Sequence, residues 1–310
     1  MKRFRFIAIF TLLVFSLAIA GCSNNKSQST SKDSKLHIAT TFYPMYEFTK
    51  NITKDKAQVD LLIPSNVEPH DWDPSPKDIE KIQKSNLLIY NSPELETWAP
   101  DLQKSINNVK FVKASEGISL MKGAKEEEEK GNKGSHLDPH VWLDPVLAQK
   151  EVENITKAVV AKDPEHKAYY EKNSQEYIQQ LKQLDHLYRT TLEKAPKKEF
   201  ITQHTAFSYL AKEYGLKQVP ISGLTPEQEP SPARLAELKK FAQKHQVKII
   251  YFEEIASPKV AQTLANEVGA KTEVLSPLEG LTKEEQDKGL NYVKIMKRNL
   301  DSLKKSLVNP

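Results

Sequence analysis

Residues 164–194 have the sequence PEHKAYYEKNSQEYIQQLKQLDHLYRTTLEK. Apolar side chains recur in this stretch at three- and four-residue steps, which predicts one amphipathic helix; the apolar stripe comprises Tyr169, Tyr170, Tyr177, Leu181, Leu184 and Leu187. About thirty residues at 1.5 Å rise would form a rod of about 45 Å, which is longer than one small lobe. We therefore predict a long helix that connects two lobes. The alternative is one continuous α/β domain with this helix on its periphery.

Strand and helix patterns alternate on both sides of this stretch. Short apolar segments predict strands at residues 36–41, 59–64, 87–90, 110–112, 200–202, 247–252 and 272–275. Helical periodicity predicts helices from about residue 45, at 77–84 and 146–160, near 205–213, 232–244 and 258–268, and from about 283 to 307. This alternation is typical of βα units with parallel strands. The predicted class is therefore α/β, with two lobes built on mainly parallel sheets.

These patterns divide the chain into an N-terminal lobe at 36–160, the connecting helix at 161–195 and a C-terminal lobe at 196–310. Residues 122–136, KGAKEEEEKGNKGSH, interrupt the first lobe. The segment is charged and poor in apolar residues, so we predict a mobile acidic loop. His136 follows the run Glu126–Glu129 there. We favour a solvated loop, and an auxiliary role in collecting metal is the alternative.

The N-terminus carries a targeting signal. Three basic residues at positions 2, 3 and 5 precede an apolar run at 6–20, which is shorter than the ~20 residues of a membrane span and fits a signal peptide at 1–21. The run ends in IAGC at 19–22, which resembles the bacterial lipobox. That resemblance implies cleavage before Cys22 and diacylation of its thiol. Residues 22–35 would then be a flexible tether at the extracytoplasmic face of the cell membrane. An ordinary signal peptide with an incidental cysteine is the alternative.

Composition excludes several classes of protein. The chain has 310 residues, 38% of them hydrophobic and 28% charged, as expected of a globular protein. Its single cysteine excludes an intramolecular disulfide framework, Cys-rich zinc fingers and iron–sulfur clusters. The formal net charge is +4, and three of these charges lie in the signal peptide. A dedicated nucleic-acid binder would carry a strong basic patch, so nucleic acid is not an expected partner.

Two of the eight histidines lie in matching contexts. Residues 68–74 are EPHDWDP and residues 138–145 are DPHVWLDP. In both, an acidic residue and a proline precede the histidine, a tryptophan lies two positions after it, and an Asp-Pro pair follows the tryptophan. The prolines restrict the backbone and prevent a helix across the histidine. An imidazole held on a stiff loop suits a metal site. We predict that His70 and His140 bind metal. The alternative is two surface turns that are rich in proline and tryptophan.

The C-terminal lobe offers two complementary groups. His204 directly follows the predicted strand at 200–202, and open α/β sheets bind ligands at the carboxyl ends of their strands. Glu279 closely follows the predicted strand at 272–275, behind Pro277. Alone, either group would usually be solvated. The remaining histidines at 37, 166, 186 and 245 are expected to be structural or exposed.

Together these motifs resemble a known family. The lipobox, the tether, the two histidine motifs, QHTAF at 203–207 and EQEPSP at 227–232 are similar to the zinc/manganese-specific solute-binding lipoproteins of bacterial ABC importers. The resemblance implies two βα lobes joined by one rigid long helix, with the metal in the cleft between them. It implies ligands at His70 and His140 from the first lobe, and at His204 and Glu279 from the second. It also implies a membrane permease as partner; we expect a monomer.

The donor set favours zinc over manganese. Imidazole suits Zn²⁺, whereas carboxylate and water suit Mn²⁺, and three histidines with one carboxylate form an N₃O set. A manganese-specific member of the same family is the first alternative. A zinc hydrolase with Glu279 as general base is the second, although the sequence lacks a His-Glu-x-x-His motif. A surface adhesin is a third. We therefore expect a zinc-capturing importer component and not an enzyme.

Overall fold

The computed structural model of the protein describes residues 35–123 and 137–309. The predicted signal peptide, the tether with Cys22 and most of the predicted acidic loop, including His136, lie outside the described residues. Within the described ranges, no helix combines the length and the apolar character that crossing a membrane would require.

The first sheet has four parallel strands in the order β2-β1-β3-β4. These are β1 (Leu36–Thr40), β2 (Ala57–Leu61), β3 (Leu87–Tyr90) and β4 (Lys110–Lys113), and they alternate with helices α1 (Tyr43–Thr53), α2 (Pro76–Lys84) and α3 (Ala99–Ser105). Ile38 on β1 pairs with Val59 on one side and with Leu87 on the other. Because β1 connects to β2 and β3 connects to β4, the chain leaves the two central strands in opposite directions. A crevice forms between their carboxyl ends, where open sheets bind ligands.

The second sheet repeats this topology in the order β6-β5-β7-β8, again with parallel strands. Its strands are β5 (Glu199–Thr202), β6 (Lys217–Pro220), β7 (Ile249–Phe252) and β8 (Lys271–Val274). A 3-10 turn at Val141–Leu143 and helices α4 (Pro145–Lys162) and α5 (Lys167–Leu192) connect the two sheets. Helices α6 (Ser208–Glu213), α7 (Pro232–Lys244), α8 (Lys259–Val268), α9 (Lys283–Asp287) and α10 (Tyr292–Leu307) complete the second lobe. The predicted class and the two parallel-sheet lobes are confirmed.

Helix α5 contacts both lobes, as the sequence predicts. Near its start, Asn173 Nδ2 donates a hydrogen bond of 2.9 Å to the carbonyl of Ile52 on α1. Near its end, the Tyr188 hydroxyl donates one of 2.7 Å to the carbonyl of Met296 on α10. The helix has 26 residues, so it extends about 39 Å. The apolar stripe is wrong at Leu187, which is 40% exposed, because Tyr188 faces the core instead.

One apolar core joins the connecting helix to both lobes. Phe48 on α1 lies beside Tyr177 on α5 and Tyr292 on α10, with ring centroids 5.9 and 5.1 Å apart. All three rings are almost completely buried. Aromatic contacts of this kind contribute about 0.5–1.5 kcal/mol beyond area burial. The lobes are therefore packed against a common rod and not joined by a free linker.

Three local predictions differ from the structure. The predicted continuous helix from 283 to 307 is wrong: α9 ends at Asp287, Gly289 has a φ of +60°, and Asn291 caps a new helix. That left-handed φ ends α9, as is common at helix C-termini. The sequence predicts no strand at β6, because KQVP contains a proline, which is restricted to strand edges and ends. It also does not predict the short helix α3, which is too brief for a clear period.

Candidate metal centre

Four side chains converge between the two sheets: His70, His140, His204 and Glu279. Each offers one ligand atom, and these atoms all lie within 4.8 Å of one another. The first histidine comes from the loop after β2 and the second from the loop after β4. The third lies two residues after the end of β5, and the glutamate follows β8. Each lobe therefore supplies two of the four groups.

Five of the six distances between these atoms are close to the edges of a small tetrahedral site, and the sixth, between Nε2 of His70 and Nε2 of His204, is at most 4.8 Å. Nε2 of His140 lies 3.1 Å from Nε2 of His70 and 3.2 Å from Nε2 of His204. Oε1 of Glu279 lies 3.4, 3.3 and 3.5 Å from the Nε2 atoms of residues 70, 140 and 204. A tetrahedron with metal–ligand distances of ~2.0–2.1 Å has edges of ~3.3–3.4 Å. The four atoms therefore surround a space that fits a zinc-sized cation.

The carboxylate of Glu279 fits a site that holds a cation. Its side chain is fully buried, and among the described residues neither of its oxygens has a hydrogen-bond partner. Burial raises the pKa of Glu279, but the three neighbouring imidazoles outweigh burial and hold the pKa well below its usual range. A buried anion without hydrogen bonds is unfavourable unless a positive charge compensates it. A divalent cation between the four groups would supply that charge.

His140 is held by its own motif. The Asp138 Oδ1 atom accepts hydrogen bonds from the backbone nitrogen and from Nδ1 of His140, at 2.9 and 2.7 Å. Asn91 Nδ2 donates to the carbonyl of Pro139 at 2.8 Å, and the Tyr209 hydroxyl donates to the carbonyl of Asp138 at 2.6 Å. Because an ionised carboxylate only accepts, Nδ1 carries the proton and Nε2 remains available to a metal.

His204 is oriented in the same way from another element. Its Nδ1 donates to Oε1 of Glu253 at 2.6 Å, and Glu253 is the first residue after β7. Gln218 Nε2 donates to the carbonyl of His204 at 2.7 Å. Burial lowers the pKa of His204 and of His140, but Glu253 raises the first well above its usual value and Asp138 raises the second. Carboxylates in this position make an imidazole a more basic metal ligand.

His70 lies on the more accessible side of the site. Its side chain is 4% exposed, whereas the other three are fully buried. Its backbone nitrogen donates to Oε1 of Glu68 at 3.0 Å, and that oxygen lies 3.9 Å from Nε2. Burial lowers the pKa of His70, while burial and the nearby Glu279 raise the pKa of Glu68 to about 10. Trp72 packs edge-to-face on Trp98, with centroids 5.7 Å apart, and fixes the loop.

The loop after β8 is held tightly against the first lobe. Trp142 Nε1, from the second histidine motif, donates to the carbonyl of Pro277 at 2.8 Å. Leu278 has a φ of +57°, which is rare for a residue with a side chain. A Cβ on Gly280 would lie 2.0 Å from the carbonyl oxygen of Ser65, in the loop after β2. Only glycine therefore permits this approach between the lobes.

The other described histidines lie away from this cluster. Nε2 of His37 on β1 lies 2.6 Å from Asp60, and Nδ1 of His166 lies 2.8 Å from Asp163. His245 stacks on Phe241 at the end of α7, with centroids 4.1 Å apart. His186 is exposed on α5. These four have local structural partners or face solvent.

Sequence reasoning missed three residues that build the site. The sequence predicts no role for Asp138, although it lies in the second histidine motif, and none for Glu253. Its position directly after a predicted strand is the same signal that identified His204, so it could have been found. Gly280 follows Glu279, but its close approach to Ser65 has no sequence signature.

Comparison with known proteins places the chain in a family. Residues 38–306 match the family described as "Zinc-uptake complex component A periplasmic", ZnuA. The chain is 63% identical over 309 residues to the high-affinity zinc uptake system protein ZnuA of Bacillus subtilis (strain 168), covering 97% of both chains. It is 46% identical over 307 residues to the zinc-binding lipoprotein AdcA of Streptococcus pneumoniae (strain R6), with 97% of this chain and 60% of that protein covered.

A solved structure agrees in fold as well as sequence. The crystal structure of the Zn(II)-bound ZnuA-like domain of Streptococcus pneumoniae AdcA superimposes with a TM-score of 0.77 at 46% identity, covering 88% of this chain and 99% of that domain. The sequence resemblance to a solute-binding lipoprotein family is thereby confirmed. On its motifs, its two-lobed fold and these comparisons, the chain belongs to the ZnuA family of zinc-uptake components.

Proposed function

We propose that this protein captures Zn²⁺ outside the cytoplasm, through His70, His140, His204 and Glu279, and delivers it to the permease of an ABC importer. One observation carries the proposal: three imidazole nitrogens and a carboxylate oxygen that has no hydrogen-bond partner among the described residues meet between the lobes. Five of their six distances are 3.1–3.5 Å, and all are within 4.8 Å. The names of its relatives, a zinc uptake system protein and a zinc-binding lipoprotein, support zinc as the cargo.

The donor set supports zinc before manganese. Nitrogen ligands from three histidines suit Zn²⁺, whereas Mn²⁺ prefers a larger share of oxygen ligands. A second carboxylate, Glu68, lies close by, but its Oε1 accepts from the backbone nitrogen of His70 and lies 3.9 Å from Nε2 of that residue. Within the described part of the chain, the four-residue group that could hold the metal contains one carboxylate, Glu279.

The same geometry favours binding over hydrolysis. A catalytic zinc keeps a position open for water, with three protein ligands. Here four protein groups surround the space, and their side chains are at most 4% exposed. We propose that Glu279 is the fourth ligand and not a general base, and that the protein is not an enzyme.

The test is elemental analysis of the purified protein, followed by titration with Zn²⁺ and Mn²⁺ in competition with a chromophoric chelator. We expect one zinc per chain, tighter binding of Zn²⁺ than of Mn²⁺, and a lower melting temperature after chelation, because ligand binding stabilises the native state. Absence of any melting shift with divalent metals contradicts the binding function. Turnover of an ester or peptide that depends on zinc supports the hydrolase instead.

We also propose that Cys22 anchors a monomeric protein to the outer face of the cell membrane. The lipobox and the name of the relative AdcA, a lipoprotein, support the anchor. The tether of residues 22–35 would then link the lipid on Cys22 to the two lobes, at 36–160 and 196–310, which residues 161–195 join. A Cys22→Ala variant should be released from the membrane fraction, whereas Ser27→Ala in the tether should stay. Retention of the Cys22 variant contradicts the anchor.

A further inference from the structure

Helix α10 holds the loop that carries Glu279 at both ends. At the start of the loop, the side chain of Asn299 accepts a hydrogen bond from the Ser276 nitrogen at 2.9 Å and donates one to its carbonyl at 2.7 Å. Asn299 is completely buried. Ser276, the second residue of the loop, is thus fixed through both of its backbone groups.

The end of the loop is fixed through a helix cap. Glu285 Oε2 accepts hydrogen bonds from the backbone nitrogen and the hydroxyl of Thr282, at 2.8 and 3.1 Å, which closes a capping box at the start of α9. The other oxygen, Oε1, lies 2.7 Å from Nη2 of Arg298. Arg298 precedes Asn299 on α10, so adjacent residues of one helix hold residues 276 and 282.

The same guanidinium also contacts the residue after Glu253, the carboxylate that orients His204. Nη2 of Arg298 also donates to Glu254, which follows the Glu253 that accepts from Nδ1 of His204. Burial and the nearby Glu285 raise the pKa of Glu254 to about 7, against the lowering effect of Arg298. Without the guanidinium, two crowded carboxyl groups would face each other, and the loop end would lose its connection to β7.

The loop needs this support because its own backbone is unfavourable. Leu278, directly before Glu279, has a left-handed φ of +57°, a conformation that persists only when its surroundings hold it. The carboxylate that follows is buried and lacks a hydrogen-bond partner among the described residues. Neither feature stabilises the position of the carboxylate by itself.

We propose that Arg298 is a positioning residue for zinc capture: it acts on the metal through the Glu279 loop. This inference rests on the proposed function, since it assigns a role within the same site. Loss of Arg298 frees the end of the loop, so Glu279 leaves the metal more often and zinc dissociates faster.

The test is a double-mutant cycle on zinc affinity and dissociation rate. The proteins are the wild type, Arg298→Met, Glu279→Ala and the double variant, each measured by competition with a chelator. We expect Arg298→Met to weaken zinc binding about tenfold, the magnitude usual for groups that orient a metal ligand. In the Glu279→Ala background the same change should alter affinity less than about twofold, because the group it positions is gone.

A matched control lies on α5. Arg189 also bridges two carboxylates, Asp185 and Glu213, and is similarly half-exposed. Arg189→Met should leave zinc affinity unchanged. If Arg298→Met fails to fold, Glu285→Gln replaces it, because glutamine can still cap Thr282 while losing the ion pair. That variant should weaken zinc binding in the same direction.

Two results overturn the inference. One is wild-type zinc affinity in Arg298→Met or in Glu285→Gln. The other is an equal loss in both backgrounds, which would mean that Arg298 acts on overall stability and not through Glu279. Failure of the wild type to bind zinc would contradict the proposed function itself, and the inference with it.

Discussion

The two lobes share one sheet topology but use it differently. In the second lobe, the crevice between β5 and β7 supplies a site residue directly: His204 follows one central strand, and Glu253, which orients it, follows the other. In the first lobe, the crevice between β1 and β3 supplies no candidate ligand among the described residues, but Asn91 there holds the carbonyl of Pro139. Here His70 and His140 come from long loops after the outer strands.

The difference shows two ways to make an imidazole rigid. A strand end fixes His204 because the sheet fixes the strand. A loop cannot do so alone, so the first lobe uses a proline before each histidine, an acidic residue two positions earlier and a packed tryptophan two positions later. Identical sheet topology therefore constrains where a site forms, while local sequence determines which residues reach it.

The largest expected loss of zinc affinity comes from removing a single ligand, tested once in each lobe. We expect His204→Ala and His140→Ala each to weaken zinc binding more than ~100-fold, because loss of a ligand should exceed the 10–100-fold cost of losing a group that orients one. Competition with a chromophoric chelator measures it, and His186→Ala on the exposed face of α5 is the control. Wild-type zinc affinity in His204→Ala would mean that the residue at the end of β5 is not a zinc ligand.

The next effect compares the two orienting carboxylates. Asp138→Asn and Glu253→Gln keep shape but remove the charge that raises the pKa of His140 and of His204. We expect each to weaken zinc binding ~10–100-fold. Calorimetric titration gives both affinities under one condition. If only Asp138→Asn weakens zinc binding, the end of β5 holds His204 in place without the charge of Glu253.

A smaller effect is expected where the lobes touch. In Gly280→Ala the new Cβ would meet the Ser65 carbonyl at 2.0 Å, so the loops must separate. Overpacking of this kind destabilises a protein by roughly 1–3 kcal/mol, and we expect zinc affinity to fall as well. Gly269→Ala, at the end of α8 with open space around it, is the control: it should lower the melting temperature slightly and leave zinc affinity unchanged. Equal zinc affinity in both variants would show that close contact between the lobes is unnecessary.

The smallest expected loss of zinc affinity comes from removing the side-chain amides that hold the backbone near His140 and His204. Asn91 donates to the carbonyl of Pro139, and Gln218 donates to that of His204. We expect Asn91→Ala to weaken zinc binding a few-fold and to lower the free energy of unfolding by ~0.5–1.5 kcal/mol, since the carbonyl of Pro139 then keeps only the hydrogen bond from the Val141 nitrogen. Gln218→Ala should affect zinc binding less, because β5 also holds His204. Chemical denaturation and zinc titration of both variants test this order, and a larger zinc defect in Gln218→Ala would reverse the comparison.

Much of the fold was accessible from local patterns. The alternation of strands and helices predicted parallel βα units, and the 164–194 stripe predicted the connecting helix, because side-chain periodicity follows directly from backbone geometry. The errors lie where the local signal is weak. Strand β6 has only four residues and ends in proline, and Gly289 breaks a segment whose apolar period continues into α10.

The candidate site was accessible in its residue types but not in its geometry. Pro-His-x-Trp motifs and a histidine at a strand end identified the donors, since rigidity and residue chemistry are encoded locally. The Nε2 separations of 3.1–3.2 Å join residues 64 and 70 positions apart in the chain. Such distances depend on how the sheets pack, which no local pattern specifies.

By itself, the sequence predicted the two-lobed α/β architecture and, through its resemblance to a family, four candidate donor side chains that form an N₃O set suited to zinc. Tertiary structure decided that these donors converge, that Asp138 and Glu253 orient two of them, and that α10 holds the loop of the fourth. The physical reason is the distance along the chain over which each interaction acts. Periodicity, capping and proline act over a few residues, whereas a metal-sized space requires two sheets and a 26-residue helix to pack in one arrangement.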